Sequence, residues 1–172
     1  MTAIASTASL PAASGLEAHA GKYLIFRLGS EEFGARVTQV REIMGMQEVT
    51  PVPHTPVCVK GVLNLRGKVI PVVDLRLKFG LPAVESTART CIVVVRTQLG
   101  ADQLLVGIVV DEVAEVVHLA ASEIEPTPDF GPGVETPYLL GMAKVKGTVK
   151  ILLDIDQVLN RQELLGLDAL VR

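Results

Sequence analysis

KGVLNLRGKVIPVVDL, residues Lys60–Leu75, is the stretch whose reading decides the fold. It reads as two β-strands, Gly61–Leu65 and Lys68–Val73, folded back on each other at Arg66-Gly67. Gly67 supplies the positive φ that a tight hairpin turn needs, and β-branched residues fill the second arm. Arg66 then stands at the tip as a planar cation. Further along, Leu140–Ile155 reads LGMAKVKGTVKILLDI and repeats the plan. Gly141, Gly147, Val149 and Asp154 match Gly61, Gly67, Val69 and Asp74, with Lys146 in the place of Arg66. The chain builds this hairpin twice, so it is a duplicated β-module.

The duplication reaches back towards the N-terminus. Leu105–Pro126 aligns on Phe33–Pro53, so that Gly34 falls on Gly107, Val37 on Val110, Val40 on Val113, Glu42 on Glu115 and Pro53 on Pro126. A longer Pro/Gly loop, Thr127–Pro137, lies in the second copy, where an insertion is tolerated. Lys22–Leu28 reads as a strand with Leu24, Phe26 and Leu28 on one face, and Glu32–Val37 as its return after a turn at Gly29-Ser30-Glu31. Val37–Pro53 fits a helical turn followed by a strand. Thr90–Arg96 and Gln103–Val110 are apolar enough to be buried on both faces. Asp74 can cap a short helix at Leu75–Phe79, stopped by Gly80; Asp154 or Asp156 can cap a longer one at Gln157–Leu165. About ten short strands with frequent turns predict a mostly β protein of two small antiparallel barrels.

Composition narrows the function. Apolar residues make up 49% of the 172, but there are only four Phe, two Tyr and no Trp. That predicts a Val/Leu/Ile core rather than an aromatic-lined ligand pocket. The net charge of −3 and the pI near 5.6 argue against a nucleic-acid or anionic-membrane partner, which would need a basic face. Cys58 and Cys91 lack metal-site spacing and read as small buried hydrophobes. No secretion signal or membrane-spanning run is visible, which predicts a cytoplasmic protein.

The carboxylates invite a catalytic reading through Glu42 with Glu115, Asp74 with Asp154, and Asp111 beside Glu112. General acid–base work needs carboxylates converging in unlike environments, whereas Asp74 and Asp154 serve better as helix caps. His19, His54 and His118 have no metal-ligand spacing, and the glycines form no phosphate loop. The sequence therefore predicts a non-enzymatic binding module with no metal and no cofactor.

The ordered part of the chain resembles the CheW family of chemotaxis coupling proteins. The residues that carry the resemblance are YLIFRLGSEEFGARVTQVREI, VTPVPHTPVCVKGVLNLRGKVIPVVDLRLKFG, VGIVVDEVAEVVHL and YLLGMAKVKGTVKILLDIDQVL. The run Gly61–Leu75 is the most specific of them. The resemblance implies two SH3-like five-stranded barrels about a pseudo-two-fold axis, with short helices and a C-terminal helix. Residues 1–21, rich in Ala, Ser and Thr and without periodicity, read on composition as a disordered tail; the resemblance spans a single domain over 22–165 and leaves a C-terminal end over 166–172. Within the domain, the first barrel would lie mainly in 22–82 and the second mainly in 88–155, with exchange of strands between them left open. The implied function is a stand-alone scaffold that binds the cytoplasmic hairpin tip of chemoreceptors and the regulatory domain of the chemotaxis histidine kinase. It would work at the inner face of the membrane, without inserting, and place the kinase under receptor control. An adaptor of another chemosensory pathway, serving twitching motility or cyclic-dinucleotide output, is the alternative. Carried over residue by residue, the receptor-facing set is Val40, Glu42, Arg66, Gly67, Val113 and Val116, with Glu42 and Arg66 expected to pair across the groove between the barrels.

Overall fold

The computed structural model describes residues 18–99, 102–128 and 138–159. Most of the expected tail (1–21), most of the Thr127–Pro137 loop, residues 160–165 of the C-terminal helix and the end at 166–172 lie outside the described residues. The strands are β1 (Gly21–Leu28), β2 (Glu31–Arg36), β3 (Val40–Gly45), β4 (Val59–Leu65), β5 (Lys68–Asp74), β6 (Cys91–Leu99), β7 (Asp102–Val110), β8 (Glu112–Leu119), β9 (Ile124–Glu125), β10 (Leu139–Val145) and β11 (Thr148–Leu153). Two one-turn helices, α1 (Leu75–Lys78) and α2 (Ile155–Val158), follow β5 and β11. The ambiguous segment after β2 resolves as a 3-10 turn, Val37–Gln39, leading into β3.

The strands form two sheets that make two SH3-like barrels, ordered β8-β1-β2-β11-β10-β9 and β3-β6-β7-β5-β4. Under the sequence repeat, β1 corresponds to β6, β2 to β7, β3 to β8, β4 to β10 and β5 to β11. The two orders are then the same. Each barrel therefore takes a hairpin from one repeat and three long strands from the other. Residues 40–110 build one barrel; residues 21–36 and 112–153 build the other. The boundary does not fall between 82 and 88.

This exchange corrects the expectation of purely antiparallel sheets. Where strands of different repeats meet, they run parallel, β2 beside β11 and β5 beside β7. A parallel pair needs a long crossover; the strands of the other barrel supply it from β2 to β11, and α1, the linker and β6 supply it from β5 to β7. The remaining ladders are antiparallel, and the two hairpins have matching registers, Leu65 opposite Lys68 and Val145 opposite Thr148.

Both hairpin turns carry positive φ at their two central residues, 50° and 89° at Arg66-Gly67, 53° and 81° at Lys146-Gly147. That is the type I′ geometry matching the twist of a hairpin. Arg66 thus shares with Gly67 the left-handed conformation that sequence reasoning gave to the glycine alone, at about 1–2 kcal/mol for a residue with a Cβ. Asn64 supports the turn by accepting from the Gly67 N–H at 2.8 Å.

Gly61 and Gly141 solve a second problem. A Cβ at Gly61 would lie 2.0 Å from the Thr50 carbonyl oxygen, and one at Gly141 would lie 2.6 Å from that of Glu125. The missing side chains let the chain after β3, and β9 after β8, close each barrel edge. These contacts pair Thr50 with Val62 and Glu125 with Met142. They also correct one alignment: Pro51, not Pro53, is the counterpart of Pro126. The second copy holds two more residues here, absorbed by the 3-10 turn Ala121–Glu123.

Burial falls into three clusters. Leu63, Leu65, Ile70, Val72, Ile92, Val94 and Val109 fill one barrel, while Tyr23, Ile25, Leu119, Ile124, Ala143 and Leu152 fill the other. The largest lies between them and draws on both sheets, through Leu24, Phe26, Leu28, Val93, Val95, Val106, Ile108 and Leu153 among others. Strands β1 and β6 are thus buried on both faces, which explains their near-continuous apolar runs. Asp74 and Asp154 cap α1 and α2 as expected, accepting from the N–H groups of Arg76 at 2.9 Å and Asp156 at 3.1 Å.

Candidate functional site

Residues opposite each other in a ladder share a face of the sheet. On β3, Val40 lies opposite Val95 and Ile43 opposite Val93, both in the inter-barrel core, while Glu42 lies opposite Val94, inside the barrel. A β-bulge at Arg41 makes that alternation possible. On β8, Val113 lies opposite Phe26 and Val116 opposite Leu24, again inter-barrel positions, while Glu115 lies opposite Ile25 in the other interior. The matching bulge falls at Ala114. The faces that the barrels turn towards each other therefore end in two equivalent apolar lips, Val40 with Ile43 and Val113 with Val116.

Val40 and Val113 pack partly against the inter-barrel core, whereas Ile43 is 44% exposed and Val116 55%. Val116 is thus no core residue. Ile43 joins the candidate set although sequence reasoning passed over it. The signal was present, because the register that places Glu42 on Glu115 places Ile43 on Val116.

Glu42 and Arg66 do pair, but at the open edge of a single barrel, where β3 meets the β4–β5 turn, and not across the groove. Arg66 Nη1 donates to Glu42 Oε2 at 3.2 Å, and Nη2 donates to Oε1 in a two-pronged contact. The guanidinium beside it holds the Glu42 carboxyl below its ordinary value, chiefly through this hydrogen bond. Arg66 remains largely exposed, with Gly67 beside it. An exposed pair adds little to stability, but its planar fork presents a fixed charge pattern. The other barrel repeats the arrangement, Lys146 Nζ donating to Glu115 Oε1 at 3.1 Å. Lys146 matches Arg66 in position and in partner, but as a point charge it lacks the fork.

Of the other carboxylates, Asp74 and Asp154 are occupied as caps, and Asp111 accepts from Arg76 Nη1 at 2.6 Å and from the Gly29 N–H at 2.7 Å. Glu32 is held below the ordinary carboxylate value, first by its hydrogen bond from the buried Lys150 and also by Arg27.

One composition argument fails. Phe26, Phe33, Phe79 and Tyr138 stack in a row, with successive centroids 6.1, 5.6 and 5.8 Å apart. The last three line a cleft of about 760 Å³ with Leu28, Leu81 and Met142. Few aromatics suffice when strand exchange gathers most of them. No helix among the described residues is long and apolar enough to cross a membrane.

Residues 22–163 match the family model described as the CheW-like domain. The chain is 40% identical over 147 residues to the chemotaxis protein CheW of Klebsiella aerogenes, covering 86% of each chain. It is 37% identical over 144 residues to the chemotaxis protein CheW of Rhizobium meliloti, covering 83% of this chain and 90% of the relative. Among solved structures it is similar to the scaffolding protein TtCheW from Thermoanaerobacter tengcongensis, with a TM-score of 0.73 and 31% identity, over 85% of this chain and 93% of that one.

Proposed function

The chain belongs to the CheW-like domain family, and on that premise we propose that it is a non-catalytic scaffold coupling chemoreceptors to the chemotaxis histidine kinase. The supporting observation is the pair of exposed apolar lips beside the Glu42–Arg66 pair. A groove edged by Val40, Ile43, Val113 and Val116 suits the apolar stripe of an amphipathic helix, and the charged fork sets its polarity and register. The cytoplasmic hairpin tip of a chemoreceptor, being helical, has that chemistry. In this reading Glu42 and Arg66 meet polar residues at the margin of the helix, and Gly67 lets it approach the turn. The kinase's regulatory domain is the second partner, residues 22–165 act as one unit, and the protein works on the cytoplasmic side of the membrane.

The test is reconstitution of a receptor cytoplasmic fragment, the kinase and this protein, with phosphotransfer as the readout. Receptor-dependent kinase activity should need the protein and should be lost with Arg66→His. Equal control of the kinase without the protein would overturn the reading.

A further inference from the structure

Two polar clamps hold the crossovers between the barrels. We propose that the Arg76–Asp111 and Gln39–Asp156 contacts are positioning devices that fix the spacing of the two groove lips. The inference rests on the helix-binding reading of the groove and adds what sets its width.

The chain passes from one barrel to the other at Val37–Gln39, between β2 and β3, and at Asp111, between β7 and β8. Each lip begins immediately afterwards, at Val40 and at Val113. Asp111 takes the Arg76 guanidinium on its Oδ2 at 2.6 Å, and the same oxygen accepts from Gly29 N in the β1–β2 turn at 2.7 Å. Its own N–H donates to the Arg27 carbonyl at 3.0 Å. One carboxylate thus joins α1 of one barrel to the β1–β2 turn of the other, and Arg76 is buried to 9% exposure. At the other crossover, Asp156 Oδ1 accepts from Gln39 Nε2 at 3.2 Å, from Thr97 Oγ1 at 2.6 Å and from Gln98 N at 3.1 Å. Gln39 Nε2 also reaches the Arg96 carbonyl at 3.4 Å. This carboxylate joins α2 of one barrel to β6 of the other.

Arg76 and Asp156 hold the same place in the two repeats, each two residues beyond a capping aspartate. One is a cation and the other an anion, yet each reaches across to a crossover. The inter-barrel core between them is apolar and non-directional, so it resists separation better than sliding. Hydrogen bonds with defined angles at both crossovers resist the sliding.

The experiment uses the full chain with Cys58→Ala and Cys91→Ser, spin-labelled at Arg41→Cys and Ala114→Cys, the exposed bulge residues on the two lips. Pulsed dipolar resonance reads the distance between lips, thermal melting reads stability, and a titrated chemoreceptor cytoplasmic fragment reads affinity. Asp111→Asn keeps an acceptor for Gly29 N but removes the charge facing Arg76; Gln39→Ala is a milder change at the other crossover. In both, the distance distribution should broaden or shift and affinity should fall about tenfold, the scale of one lost hydrogen bond to a charged group. Arg76→Met should act like Asp111→Asn, and Arg76→Lys should keep most of the parent distance and affinity. Unaltered distance distributions in Asp111→Asn and Gln39→Ala would overturn the proposal. That measurement needs no partner, so failure of the parent protein to bind the fragment would count against the receptor reading alone.

Discussion

Replacing Gly61 with Ala tests how the barrel of residues 40–110 closes. The new Cβ would sit 2.0 Å from the Thr50 carbonyl oxygen at a backbone φ of +142°. The contact is with backbone, so the segment carrying Thr50 must move away. Two hydrogen bonds go with it, Thr50 N to the Val62 oxygen and Val62 N to the Thr50 oxygen, both 2.9 Å. At about 1 kcal/mol each, with about 1–2 kcal/mol for a Cβ at positive φ, the loss is about 3–4 kcal/mol. That is a large part of a typical domain's stability of about 5–15 kcal/mol. Gly67→Ala is the control, since its φ is +89° but nothing lies within 4 Å of the added Cβ. It should cost only the conformational share, about 1–2 kcal/mol. Urea unfolding of both variants, with slopes compared to confirm a common transition, measures the difference. A Gly61→Ala loss no larger than that of Gly67→Ala would refute the close-approach argument.

Three further outcomes follow from the site and its supports. Arg66→Ala should raise the Glu42 carboxyl towards its ordinary value; a depressed carboxyl stabilises the fold at neutral pH and loses that contribution as pH falls through its folded value, so a carboxyl NMR titration unchanged by Arg66→Ala would count against the pair. Lys150→Ala should cost about 1.5–3 kcal/mol at pH 7 by removing the buried donor to Glu32, which keeps Arg27 as its other partner. Glu32 is also depressed, so thermal melts should show that gap narrowing as acid protonates it, and a pH-independent gap would contradict the assignment. Ile43→Asp and Val116→Asp, at exposed positions, should weaken binding of a receptor fragment at least about tenfold while changing stability by no more than about 0.5 kcal/mol; binding left intact by both would remove the lips from the site.

Local chemistry was legible in the sequence. The hairpin at Arg66-Gly67 and the Asp74 and Asp154 caps depend on residues close in the chain, and the internal repeat on the likeness of two segments read in order. The Glu42–Arg66 pair was legible through the family resemblance. The exchange of hairpins was not, because a repeat shows which segments are alike and not which segments pair. Parallel pairing of β2 with β11 is a non-local choice that leaves no periodicity. Ile43 was passed over although the repeat register sets it on Val116; the ladder then shows which face it shares, opposite Val93. The aromatic row escaped because composition counts residues without placing them. The left-handed Arg66 escaped because glycine next to it accounts for a turn on its own.

The exchange of hairpins also bears on the order in which the protein can form during synthesis. The barrel of residues 40–110 has all its strands once β7 has emerged. The other must wait, since Glu32 on β2 meets Lys150 on β11 across 118 residues of chain. Until then the β1–β2 hairpin has two apolar faces, and the finished barrel can cover only the one with Leu24, Phe26 and Leu28. The early barrel thus serves as a template, holding the first hairpin through Leu24, Phe26 and Leu28 until its remaining partners arrive.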